Sequence, residues 1–225
     1  MKAASNTRRT ISPASRRGDY RSGRRAGPWD TLAGPGKILI GVGLARTGDA
    51  ARDATIAANP RSAVSRAITG FTDRGVRAIL VGVPPVTHSA HDRHGFIPIL
   101  IRIARDSGMS GYVGDGANHW PAVHTLDLAR LYRLALEAAP AGAQLYGAAE
   151  PGIPVREIAE TIGRHLGIPA MSIPADQAGD HFKGFPFVTM DITMPNDQTR
   201  QLLGWEPADP GLIADLGQGH YFAAD

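Results

Sequence analysis

Two runs, KILIGV at 37–42 and VRAILVGVPP at 76–85, are apolar without alternation and of strand length. That pattern predicts strands buried on both faces, as in a parallel sheet. A loop follows the first run, and a helix is then predicted over 59–75. Asn59-Pro60 starts it, one face carries Ala63, Ala67 and Ile68 (or Val64, Ala67 and Phe71), and Gly75 stops it. Strand, helix and strand at this spacing form a βαβ unit. Residues 95–108 read as a helix ending at Gly108, and 109–116 as a short strand running into a turn. Thr125 can cap the next helix, with Asp127 in its first turn and Leu128, Leu131, Leu134 and Ala135 as its apolar stripe.

QLYGAAE at 144–150 reads as a third parallel strand, and Pro154 opens a helix with Val155, Ile158, Ala159, Ile162 and Leu166 facing inward. Asn196 caps a short helix stopped by Gly204, and GLIADL begins the last one. No internal repeat is visible. The order predicts an α/β chain: a partial doubly wound, Rossmann-type parallel sheet with a small helical C-terminal lobe. The expected division is a basic tail at 1–34, a partial nucleotide-binding-type domain at 35–150 and a lobe at 151–225 interleaved with 84–124.

Composition narrows the classes. The 225 residues are 43% hydrophobic and 20% charged, which excludes disorder throughout. With no cysteine there is no disulfide framework, thiolate zinc site or cysteine nucleophile, so a reducing cytoplasm is the expected location. The longest apolar stretches, 38–45 and 96–104, are far short of the roughly 18 to 20 residues that span a bilayer, and the first residues lack the apolar segment of a secretory signal. No membrane association is expected.

Charge is unevenly placed. Residues 1–30 hold eight Lys or Arg against Asp19 and Asp30, a local +6, whereas the whole chain is +3. The body is therefore net negative, and no nucleic-acid partner is expected. The tail is rich in Arg, Ser and Gly, shows no periodicity and is expected to be disordered alone. A phosphate-binding arm, a transit-like address, an anionic-surface tether and a solvated extension all remain open for it.

The stretch VGVPPVTHSAHDRHGFIPILIRIARDSGMSGYVGDGANHWPAVHTLDLARLYRLALE (81–137) resembles the atypical and extended short-chain dehydrogenases, the NAD-dependent epimerase/dehydratase group. Residues 152–169 and 199–216 resemble that group's C-terminal substrate lobe, so the resemblance covers roughly 36–222. It implies a small-molecule substrate, NAD or NADP as cofactor, and hydride transfer to or from a carbonyl or sugar-like alcohol. Such enzymes begin with a strand and Gly-x-x-Gly-x-x-Gly at a helix N-terminus, where bare N–H groups hold the cofactor pyrophosphate. Nothing in 1–35 fits, and in GVGLARTG (41–48) Arg46 stands where Gly or Ala is needed. The preferred match places 37–45 on the family's fifth strand, which makes the chain the C-terminal portion of such an enzyme. An unpaired sheet edge would follow, and a homo-oligomer through that edge or through helix 60–74 is expected.

Under that match Gly41 or Val42 falls near the serine that usually orients the substrate carbonyl. Arg61 replaces the tyrosine of Tyr-x-x-x-Lys and Ser65 the lysine, as some atypical members also have Arg. Losing a positioned general acid typically costs roughly 100- to 10,000-fold in rate. The resemblance implies that Pro84, Pro85 and Val86, with Gly41, lie along the cofactor, against the plain reading of two prolines that end a strand. His88 is the candidate general acid, with Arg61 the second catalytic candidate. His88, His91, Asp92 and His94 have the residue types of a metal cluster, but the segment reads as loop and the family carries no metal there; no metal is expected. In GDGANHWPAVH (114–124), Asn118, Trp120 and His124 are the candidate substrate contacts, against a structural corner. Trp205 and residues 220–222 read as core, and Asp127 and Asp191 as cap or turn residues. A non-catalytic small-ligand- or subunit-binding remnant of the fold is the rival reading.

Overall fold

The run AILVG (78–82) is apolar because both faces of its strand are covered. This strand, β2 (Arg77–Gly82), turns Ile79 and Val81 toward one helical layer and Leu80 toward the other. It pairs in parallel with β1 (Ile38–Val42) on one edge and β6 (Gln144–Tyr146) on the other. The computed structural model describes residues 33–45 and 50–223, without the side chain of Arg52. The basic tail as far as residue 32 and residues 46–48 of GVGLARTG lie outside the described residues.

Between β1 and β2 come two helices, α1 (Ala50–Ala58) and α2 (Ser62–Thr69), then a single 3-10 turn at Thr72–Arg74. The loop expected before residue 59 is thus partly helical, because the small residues of AARDATIAA carry enough intrinsic propensity for helix. The helix expected over 59–75 is shorter. Gly70 closes it, and Gly75, with φ +76°, ends the 3-10 turn.

After β2 the chain leaves the sheet at Pro84 and Pro85 and forms β3 (Val86–His88), then α3 (Phe96–Ser107), β4 (Ser110–Val113), β5 (His119–His124) and α4 (Thr125–Ala138). Beyond β6 come β7 (Glu150–Pro154), α5 (Val155–Leu166), β8 (Ala170–Ile173), α6 (Ala178–His181), α7 (Asp197–Leu203) and α8 (Leu212–Gly217). Among the described residues the strands form a parallel three-stranded sheet β1-β2-β6, a mixed sheet β3-β5-β7 and a parallel pair β4-β8. The α/β class expected from element order is the one observed, with α2 and α4 on opposite faces of the main sheet. The lobe, expected to be helical, also contains the short strands β3, β5, β7 and β8. Each has six residues or fewer, too short to print an alternating signal of its own.

Two caps differ from expectation. Thr125 donates its hydroxyl to the His88 carbonyl at 3.1 Å, and His124 takes its place, with Nδ1 accepting from Leu126 N at 3.3 Å. Asn196 donates to the Ala148 carbonyl at 2.7 Å instead of capping α7. In both cases a tertiary acceptor outcompetes the local cap. β1 is the terminal strand of its sheet among the described residues, and its Ile38 and Val42 are 44% and 47% exposed.

Asp127 is more than a first-turn acid. Fully buried, its carboxylate accepts from Ala208 N at 2.8 Å, Asp209 N at 3.1 Å and the Arg130 guanidinium, while its carbonyl accepts from Trp205 Nε1 at 3.0 Å. One side chain thereby ties α4 to the segment between α7 and α8. Replacing it with Ala takes this acceptor from the part-buried Ala208 and Asp209 N–H groups and from Arg130, so Asp127→Ala is expected to lower unfolding stability by about 1–3 kcal/mol. Urea denaturation checks this, and a loss below about 0.5 kcal/mol contradicts the role.

Candidate functional site at the strand ends

Open parallel sheets place ligands beyond the carboxyl ends of their strands, and β1, β2 and β6 all end at one edge because they run the same way. The ladders continue past the strands there, with Gly43 N donating to Val81 O at 3.1 Å and Gly147 N to Gly82 O at 2.9 Å. Leu44 N donates to Ser65 Oγ at 2.8 Å, and the Tyr146 hydroxyl donates to the Ala45 carbonyl at 2.5 Å. Ser65 is thus a buried acceptor that fastens the chain leaving β1. A cavity of about 630 Å³ lies between this sheet and α1 and α2, with Leu44, Ala54, Ser62, Ser65, Leu80 and Gln144 in its wall.

Gly41 of β1 and Gly43 just beyond it serve packing. A methyl on Gly41 would sit 2.3 Å from Ile68 Cδ1, and one on Gly43 would sit 2.5 Å from Ser65 Oγ and 2.8 Å from Leu80 Cδ1. The space over Gly41, the residue matched to the substrate-orienting serine, is therefore taken by the Ile68 side chain of α2.

Proline ends β2 because it brings no N–H to the ladder. Pro84 is buried and Pro85 half-buried, and the chain they redirect enters β3, where Val86 pairs with Ala122 and His88 with His124. The His88 side chain is fully buried. Its Nδ1 lies 2.8 Å from Asp215 Oδ2 of α8, and its ring meets the edge of His124 at 5.5 Å. Its Nε2 is buried with no hydrogen-bond partner. Burial pushes the His88 pKa below that of a free imidazole, outweighing the Asp215 carboxylate that pulls it up. The ring is accordingly neutral near pH 7 and donates Nδ1–H to the carboxylate, which leaves Nε2 as a bare acceptor.

Next to it, the Tyr221 hydroxyl accepts from Ser89 N at 3.2 Å and donates to Asp92 Oδ2 at 3.2 Å. Burial, with the negative charge of Asp92 nearby, holds that phenol well above its usual pKa. Asp92 Oδ1 in turn accepts from Gly95 N at the start of α3, at 2.8 Å. Glu150 of β7 accepts from Leu212 N at 2.7 Å and so holds the first turn of α8.

The other candidates lie in different settings. Arg61 is exposed at the start of α2, with its backbone N on Asn59 Oδ1. Asn118 donates to the carbonyls of Val188 and Met190, both at 3.0 Å, and pins the 3-10 turn at Pro186–Thr189. Trp120 is fully buried against Phe96 and Phe185. His124 is nearly buried beside Asp209 at 3.7 Å. His91 and His94 are exposed, and no group of three metal-ligating side chains converges among the described residues. Asp215, Tyr221 and Glu150 were not singled out for chemistry from the sequence, and Asp92 was weighed only as a metal ligand. Asp215 left a signal: Leu212, Asp215 and Leu216 share one helical face, and an acid on an apolar face needs a buried partner.

The fold is shared with solved NAD-binding epimerases and dehydratases. UDP-glucose 4-epimerase from Thermus thermophilus, in complex with NAD, superposes with a TM-score of 0.59 at 16% identity, covering 84% of this chain and 65% of that one. An epimerase from Methanothermobacter thermautotrophicus gives 0.59 at 14% identity, covering 82% and 59%. dTDP-glucose 4,6-dehydratase from Bacillus anthracis, in complex with NAD, gives 0.57 at 14% identity, covering 82% and 61%. In sequence, the chain is 44% identical over 154 residues to an uncharacterised protein of Schizosaccharomyces pombe, covering 68% of this chain and 52% of the relative. It is also 44% identical over 162 residues to an uncharacterised protein of Saccharomyces cerevisiae, covering 69% and 54%. The chain thus spans about half the length of the curated relatives it matches. No protein-family model matches it.

The packing at the end of β1 yields a measurable coupling. Gly43→Ala forces its methyl against Ser65 Oγ and Leu80 and is expected to cost about 1–3 kcal/mol of stability. In a Ser65→Ala background the penalty should fall by at least about 0.5 kcal/mol, since the nearest clashing atom is gone. A double-mutant cycle in urea decides it, and strict additivity contradicts the contact.

Proposed function

We propose that this chain belongs to an NAD(P)-dependent oxidoreductase of the epimerase/dehydratase kind that acts on a carbonyl or sugar-like alcohol at the carboxyl edge of β1, β2 and β6. The observation that carries this reading is the parallel β1-β2-β6 sheet broken after β2 by Pro84 and Pro85, within a fold shared with NAD-bound enzymes. NAD(P) supplies a hydride acceptor and donor when bound. Among the described residues, Pro84, Pro85 and Val86 are the wall that the resemblance implies; Pro84 and Val86 are buried, Val86 within the apolar core, which leaves the half-buried Pro85 to meet a cofactor. A phosphate-cradling glycine turn is not among them, because Gly41 and Gly43 face Ile68, Ser65 and Leu80.

The roles assigned to the chain's own residues are therefore binding and proton handling. His88 is the candidate proton-transfer group, since its bare Nε2 is the one imidazole nitrogen of the β3–β5 pair left buried without a partner. Arg61, exposed beside the start of α2, is the second candidate, as a cation for substrate oxygen. A second reading, a non-catalytic small-ligand-binding form of the fold, is favoured by Ser65. Its hydroxyl is committed to Leu44 N at the position where the resembling family has its lysine.

Fluorescence titration of the purified chain with NADH and NADPH separates the two. Saturable micromolar binding, weakened at least about tenfold in Pro85→Asp with the fold intact by circular dichroism, is the expected outcome for the oxidoreductase reading. A folded chain that binds neither nucleotide leaves the non-catalytic reading.

A further inference from the structure

The C-terminal segment 211–222 packs as a strap against α5 and β5 and reaches β3 through Asp215 at His88. Leu212 and Leu216 enter the apolar core, while Asp215 reaches His88 Nδ1 at 2.8 Å. Tyr221 bridges Ser89 N and Asp92, Arg105 donates to the Phe222 carbonyl at 3.1 Å, and the Phe222 ring stacks on His165 at 4.7 Å. The strap therefore buries the candidate proton-transfer residue and also closes the 89–95 loop that leads into α3.

We infer that this segment is a proton-released strap: uptake of a proton by His88 opens 211–222 from β3 and exposes the His88 ring. The argument rests on the unpartnered Nε2. While the strap is closed, a neutral ring satisfies Asp215 through Nδ1–H, and its bare Nε2 faces no donor. A second proton would create a charged N–H donor with no acceptor in a site closed to water, which is costly. Opening brings that N–H to solvent, so the proton binds the open form better and shifts the equilibrium toward it.

The charged and titratable groups around the ring are accounted for. The strap itself supplies Asp215, and His220 with Nε2 3.8 Å from the same carboxylate oxygen. β5 supplies His124, with Asp209 beside it, and Glu150 comes from β7. Asp215 and Glu150 favour protonation and His124 opposes it, but burial dominates and holds His88 below the free-imidazole value of 6.5. A lowered folded-state pKa gives the sign. The closed state is fully favoured above pH 6.5 and loses ground as pH falls through that value toward the lower one.

This inference goes beyond the proposed oxidoreductase activity and is tested without it. Amide hydrogen exchange of the purified chain, corrected for intrinsic exchange rates, is measured between pH 8 and pH 5. Protection in 211–222 is expected to fall by up to about tenfold per pH unit below pH 6.5 while β2 amides hold theirs. His88→Gln removes the titrating group and should make strap protection independent of pH, whereas His220→Gln and His165→Gln should leave the response in place. Should His88→Gln fail to fold, NMR titration of the wild-type imidazoles decides, because His88 must take up its proton together with strap opening. Constant strap protection down to pH 5, a response that follows His220 or His165, or protonation of His88 beneath a closed strap each overturns the inference.

Discussion

Burial of β2 on both faces is the constraint from which the rest of the structure is hung. Its odd-numbered residues Ile79 and Val81 pack with Leu131, Ala135, Leu145 and Trp205, and its even-numbered Leu80 packs with Ala45, Tyr146 and, in α2, Ile68. A strand covered in this way can offer function nothing along its length, so chemistry is pushed to its end. The two prolines that stop it send the chain into a second sheet, and that crossing carries His88 into the interior.

The second organising contact joins His88 to Asp215, 127 residues apart in the chain. Around it, Tyr221, Asp92, Thr125 and Glu150 bind backbone groups at the end of β3 and at the starts of α3 and α8, so one polar network ties these elements to α4 and β7. A buried imidazole with one nitrogen committed and the other bare is costly in structural terms alone. That cost is why the same residue carries both the proposed proton chemistry and the proposed release of the strap.

Elements with strong local pattern were legible in the sequence. AILVGV is unbroken and apolar, residues 95–108 carry a helical stripe closed by Gly108 at φ +71°, and the Val155, Ile158, Ala159, Ile162 face is regular over about two turns. Of the short strands of the lobe, β4 was legible after Gly108, whereas β3, β5, β7 and β8 were not, since each depends on a partner distant in sequence for its hydrogen bonds. Caps failed for the same reason. Thr125 and Asn196 have the side chains that end helices, but each lies within reach of a carbonyl brought there by another element.

The sequence by itself determined the α/β class, the break after β2 at Pro84 and Pro85, and the presence of His88 just beyond it, because apolar runs, proline and residue identity act locally. Tertiary structure alone decided that His88 is buried, that Asp215 of the last helix is its partner, that Ile68 fills the space over Gly41, and that Asn118 and Trp120 are engaged in the fold. Each of those facts is a contact between elements far apart in the chain. Periodicity reports which face of an element is buried, whereas the side chain that meets it there is set only by how the elements pack.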